Sequence, residues 1–230
     1  MGVTVNQIDE RTWSFEEDGV RFFLLAGTQK ALLLDSGMQT RNAKELAQEL
    51  TDLPIELMNT HADPDHVGSN EEFDRFYMNP AEASNYYNTF HRTGTMVPVW
   101  DGDRIDLGDR ELLIVTIPGH TPGSIAVIDL QHRRVFAGDS VQDGRIFMFG
   151  VQREMHAYRL SLKKLEAMKD LFDEVYPCHG TCPVKPELIG QLYDAAGDVL
   201  AGKVQGTAAE MHGNPIMVYD VGVAGFLCEP

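Results

Sequence analysis

Positive charge is scarce in this chain. Nineteen Lys and Arg stand against thirty-five Asp and Glu, a formal charge of −16. No Lys/Arg block and no interleaving of basic with aromatic residues offsets it. Nucleic-acid binders need basic surface to displace counterions, so nucleic acid is not expected as a partner. Cysteine is scarce too. Cys178, Cys182 and Cys228 are too few and too unevenly placed for a disulfide framework, which agrees with a reducing compartment. No apolar run approaches a membrane span, and Met1–Arg11 is polar, with none of the apolar stretch of a secretory signal. A cytoplasmic location with no membrane partner is the expectation. No Gly-x-Ser-x-Gly elbow occurs, which disfavours serine hydrolysis of that kind.

The 230 residues suit a single domain over 1–230 with a sizeable core. Thr12–Glu17, Val20–Ala26 and Lys30–Leu34 read as consecutive antiparallel strands, broken by Asp18-Gly19 and Gly27-Thr28. Asn42–Leu50 carries Ala43, Leu46, Ala47 and Leu50 on one helical face. A strand over Ile55–Met58 follows, then a helical turn from Gly68 to Phe73, a strand over Phe76–Met78 and a helix over Ala81–Phe90. Hairpins are expected around Asp101–Ile117 and Ser124–Ala137. Helices are expected within Glu154–Phe172 and from Pro186 to Leu200, with Pro186 in the first turn and Gly202 at the stop. Two or three strands close the chain over Gly206–Cys228. Strands followed by a helix, twice over, fit a βα sandwich of two related halves.

The chemistry concentrates just past the strands. His61, Asp63, Asp65 and His66 fall within Thr60–Gly68, behind Ile55–Met58. His120 lies in Pro118–Ser124, behind the apolar Leu112–Ile117. Asp139 follows Phe136-Ala137-Gly138, and His179 follows Tyr176-Pro177-Cys178. Carboxylates and imidazoles are costly to bury unpaired, so their convergence at strand ends asks for a cation. Loops at the strand ends of a layered scaffold are where such sites are built.

In order and spacing, from about Asp35 to Gly180, these motifs resemble the metallo-β-lactamase superfamily, whose loop runs His-x-His-x-Asp-His before single His, Asp and His ligands. The resemblance implies an α/β fold, an αβ/βα four-layer sandwich, with Asp35 in a structural turn beside the metal loop. It implies two divalent metal ions, zinc first. His61, Asp63 and His120 would surround one ion, Asp65, His66 and His179 the other, and Asp139 would bridge them. The activity implied is hydrolysis of a small-molecule ester, thioester, lactone or phosphodiester by metal-bound hydroxide, with Asp65 orienting the attacking group. The chain shows no long helical C-terminal extension of the glyoxalase II type. Its oligomeric state is not legible.

Asp63 departs from the pattern, because the superfamily's hydrolases usually carry a second His there. A carboxylate reaches less far and adds negative charge, which favours iron or manganese more than an imidazole would. Diiron flavoproteins of the superfamily carry Glu at that position, so a redox protein reducing oxygen or nitric oxide, with an external electron donor, is the alternative. The flavin-binding domain of those proteins is missing. His91, His132 and His212 read as surface residues and His156 as a lesser candidate to face the site. Phe147, Met148 and Phe149 are candidate pocket walls, with Arg145 and Arg153 as candidates to hold an anionic group of the substrate. Cys178 and Cys182 read as buried or partly buried thiols.

Overall fold

The computed structural model describes residues 2–150 and 152–230. Three sheets and three α-helices make up the described chain. The first sheet has seven strands in chain order: β1 (Thr4–Asp9), β2 (Thr12–Glu17), β3 (Val20–Ala26), β4 (Ala31–Leu34), β5 (Ile55–Met58), β6 (Arg75–Met78) and β7 (Thr95–Pro98). Its first four strands are antiparallel neighbours, and β4 to β7 run parallel. Helix α1 (Ala43–Gln48) is the crossover between β4 and β5.

The second sheet holds β8 (Arg104–Asp106), β9 (Glu111–Thr116), β10 (Ile125–Asp129), β11 (Arg134–Phe136) and, past a third-sheet strand, β13 (Glu174–Tyr176). The third sheet joins β12 (Arg145–Met148) to β14 (Thr207–Met211), β15 (Asn214–Asp220) and β16 (Gly225–Cys228). Helices α2 (Met155–Glu166) and α3 (Glu187–Leu200) follow β12 and β13 in the chain.

Strand β3 explains the layering. Every one of its residues is buried, the mark of a strand covered on both faces. Phe23 and Leu25 face the second sheet and pack with Leu112, Ile114, Val127, Phe136 and Tyr176. Phe22 and Leu24 face the other way, onto Ala43 and Ala47 of α1. The outer face of the second sheet, through Val115, Ala126, Ile128 and Val135, packs on Tyr158, Leu162 and Leu165 of α2 and on Ile189 and Leu192 of α3. Helix, sheet, sheet, helices: this is the αβ/βα sandwich.

Two segments differ from the sequence reading. The stretch over Ala81–Phe90 is not an α-helix but a 3₁₀ turn, Pro80–Glu82, followed by a π-helical turn, Ser84–Thr89. Tyr86 is buried against Phe76, its hydroxyl donating to Thr93 O at 2.8 Å, and Phe90 N donates five residues back to Asn85 O. The wider turn accommodates that anchored ring. Strand β1 was not expected at all, because its TVNQID residues are mostly exposed and carry no apolar alternation. Among the described residues no helix is long and apolar enough to cross a membrane.

Candidate metal centre

All the chemistry-bearing loops open at one edge of the two stacked sheets. His61, Asp63, Asp65 and His66 follow β5; His120 follows β9; Asp139 follows β11; His179 follows β13. Strands β9 and β11 are both antiparallel to β10, and β13 is parallel to β11, so their C-terminal ends coincide. The seven side chains predicted from sequence are brought together. The concavity lined by Lys44, Ile55, Phe73 and Arg75 lies toward the opposite end of β5.

The four imidazoles are oriented alike. His120 Nδ1 lies 3.0 Å from Phe147 O, and His179 Nδ1 lies 2.8 Å from Gly19 O. A carbonyl can only accept, so both Nδ1 atoms carry the proton. His66 Nδ1 lies 2.9 Å from the Asp35 carboxylate. His61 Nδ1 lies 3.0 Å from Thr60 Oγ1, whose own proton goes to Asp35 Oδ2 at 2.8 Å. Each ring therefore directs Nε2 at the centre, and in its neutral form presents a bare lone pair there. Outer oxygens that fix the tautomer in this way are the habit of metal-binding histidines.

At that centre acceptors meet acceptors. His61 Nε2 and His120 Nε2 are 3.2 Å apart. His179 Nε2 lies 3.2 Å from Asp65 Oδ2 and 3.3 Å from Asp139 Oδ2. His66 Nε2 and Asp139 Oδ1 stand 3.2 Å apart, yet each is buried without a hydrogen-bond partner among the described residues. Ligand atoms of Asp65, His66, Asp139 and His179 all lie within 4.8 Å of one another, and those of His61, His120 and Asp139 do likewise. Asp139 is common to both groups.

Without a cation, the carboxylates favour protons on the rings in its place. Burial opposes ionisation of Asp139, but His179 and His66 hold its carboxyl well below the usual range. Burial also opposes the charge on Asp65, and His66 and His179 outweigh it. For His179 burial is overcome by Asp139 and Asp65, which raise it to about 10, and His66 is raised well above its ordinary value against still deeper burial, by Asp139, Asp65 and Asp35. The cluster calls for positive charge, and convergent lone pairs of nitrogen and oxygen are the donor set of a divalent cation.

The family model described as Metallo-beta-lactamase superfamily matches residues 16–180. The chain belongs to the metallo-beta-lactamase superfamily. Acyl-coenzyme A thioesterase MBLAC2 of Gallus gallus is 28% identical over 220 residues, covering 78% of this chain and 78% of that protein. Hydroxyacylglutathione hydrolase of Photobacterium profundum is 32% identical over 151 residues, covering 64% of this chain and 56% of that protein. A metallo-beta-lactamase from Pontibacter korlensis shares the fold, with a TM-score of 0.72 at 16% identity over 86% of this chain and 100% of that one. The chain is a hydrolase of this superfamily.

Two buried carboxylates organise the superfamily loops without entering the cluster. Asp35 accepts from Thr60 N at 2.7 Å and Thr60 Oγ1 at 2.8 Å, and so sets both His66 and, through Thr60, His61. It does so from a left-handed backbone, φ +64, which Asp tolerates better than most side chains. Cys178 Sγ–H points to the same carboxylate at 3.5 Å, and burial pushes that thiol far up, so it is a packed group and not a thiolate. Glu82 accepts from Ala62 N at 2.9 Å and from Gly123 N at 2.7 Å, tying the His61 loop to the His120 loop. A Cβ at Gly123 would stand 2.7 Å from Glu82 Cγ, so only glycine admits the contact.

Arg153 reaches the cluster and Arg145 does not. Arg153 Nη2 donates to Asp63 Oδ2 at 2.6 Å, whereas Arg145 is exposed on β12. Burial opposes the charge on Asp63, but His120 and His61 hold it well below the usual range. His91, His156 and His212 are exposed and His132 pairs with Asp129, all outside the cluster. Phe147 and Phe149 are half-buried, with ring centroids 5.5 Å apart, and Phe147 contributes its carbonyl to His120.

Proposed function

We propose that this chain, as a single domain over 1–230, hydrolyses small acyl thioesters with two divalent metal ions, zinc first. His61 and His120, with Asp63 beside them, would hold one ion and Asp65, His66 and His179 the other, with Asp139 between them. Bound there, the ions would acidify a water molecule and polarise the thioester carbonyl oxygen. The observation that carries this reading is the set of four Nε2 lone pairs facing carboxylates, with every Nδ1 proton committed outward.

The protein's own groups divide the remaining work. Asp65 is a quarter exposed and faces His179, so its free oxygen can orient an attacking water. Asp35 and Glu82 keep the loops from relaxing around the charge. With the metals on the Nε2 atoms, none of the described groups around the cluster would be a proton donor for a leaving atom: the remaining imidazole N–H groups point outward, and a guanidinium does not deprotonate. A thiolate leaves without a general acid, since thiols ionise near pH 8.5, whereas an alkoxide needs one. That, with the thioester hydrolases among the relatives, favours a thioester over the ester, lactone and phosphodiester substrates.

The test is a panel assayed with zinc-loaded protein: an acyl-coenzyme A, an S-acylglutathione, a matching oxygen ester and a phosphodiester. Thioester turnover should exceed the oxygen ester by about a hundredfold, the usual worth of the missing general acid. Equal turnover of the oxygen ester or phosphodiester would refute the substrate class. Zinc has no redox chemistry, so turnover with zinc separates hydrolysis from the diiron alternative.

A further inference from the structure

We infer that Asp63 and Arg153 act as one unit, a neutral ion pair standing where a neutral imidazole stands in the superfamily's usual loop. Arg153 is then a positioning residue for Asp63, holding its carboxylate off the first metal position. The inference rests on the metal reading above.

The geometry assigns Asp63 Oδ2 to the guanidinium first. Its contact with Arg153 Nη2 is 2.6 Å, against 3.3 Å to His120 Nε2 and 3.6 Å to His61 Nε2. The compact group of His61, His120 and Asp139 closes without Asp63. Arg153 is itself held in place. Its Nη1 donates to His120 O at 2.9 Å and lies 3.0 Å from each ring nitrogen of His120. The next residue, Glu154, donates its N–H to Gly119 O at 2.9 Å and caps α2 through His156 N and Ala157 N. The start of α2 is therefore clamped to the His120 loop, and Arg153 is delivered with it. Both side chains of the pair are largely shielded, at 16% and 14% exposure, so their charges are poorly screened.

Asp63 alone would leave the site one unit more negative than a histidine would, and the Arg153 guanidinium cancels that unit. The pair thus removes the ground for expecting iron or manganese in preference to zinc.

The test is zinc affinity, measured on chelator-stripped protein by competition with a chromophoric chelator, with thermal melting to verify folding. Arg153→Gln frees the carboxylate and removes a positive charge that repels the cation, so affinity should rise, by about tenfold for a change of roughly 1.4 kcal/mol. Arg153→Lys, which keeps the charge without the fork, should change it less than about threefold. Asp63→Asn leaves the guanidinium unpaired and should lower affinity about tenfold, and Asp63→Asn with Arg153→Gln should return it to near wild type. Unchanged or weaker binding by Arg153→Gln, or a double variant as weak as Asp63→Asn, would make Asp63 a ligand in its own right and overturn the inference. Failure of the wild type to bind zinc would overturn the metal reading, and this one with it.

Discussion

The carboxylate of Glu82 accepts the backbone N–H of Gly123 at 2.7 Å, across forty-one residues of chain. Its other oxygen takes Ala62 N, between His61 and Asp63. Glu82→Gln turns an amide N–H₂ toward one of two buried backbone donors, leaving unmet polar groups worth about 1–3 kcal/mol. Thermal unfolding should register that loss, and zinc affinity should fall about tenfold or more as the two loops lose their common anchor. A melt lowered with affinity unchanged would confine Glu82 to stability.

A second buried pair joins the sheets themselves. Arg110 and Asp129 are both fully buried, with Nη2 to Oδ2 at 2.5 Å. The guanidinium also reaches Thr12 Oγ1 on β2 and the carbonyls of Arg11 and Ala26. Asp129→Asn should cost about 3–5 kcal/mol by denaturant unfolding, because it strands a buried cation. Replacing both, Arg110→Met with Asp129→Leu, should recover most of that loss. A double variant no more stable than the single would point to the guanidinium's backbone contacts as the main contribution.

Much of this was legible in the chain. Strand β3 falls on the apolar run between Asp18-Gly19 and Gly27-Thr28, since burial on both faces writes a strand plainly. The seven side chains of the cluster were legible because each sits one loop beyond such a run. The anchors were not. Glu82 binds backbone N–H groups, which any residue supplies, so no side-chain pattern marks it. Asp63 and Arg153 are ninety residues apart, and their pairing depends on how α2 starts beside Gly119. Strand β12, read as a pocket wall, is defined by a parallel partner, β16, at the far end of the chain.

Acid should loosen the edge strand β1 first. Asp9 pairs with Arg134 on β11, and although burial opposes its charge, Arg134 and Arg11 N hold its carboxyl below the usual 3.8. A carboxyl depressed in the folded state stabilises above its unfolded value and loses that contribution as pH falls through the folded one. Asp9→Asn should therefore cost up to about 1 kcal/mol at pH 7, screened as the pair is, and almost nothing near pH 2. Melting temperatures of the two proteins against pH should converge on the acid side. A constant offset would exclude the ionised pair.

Thiol release from an acyl thioester, followed as zinc is added to chelator-stripped protein, addresses the central claim most directly. Hydrolysis should be absent without metal and should climb to a plateau at about two equivalents per chain. Asp139→Ala, lacking the carboxylate common to both donor groups, should not reach that plateau at any zinc level. Full activity in the stripped protein, or a plateau at one equivalent, would contradict a two-metal hydrolase.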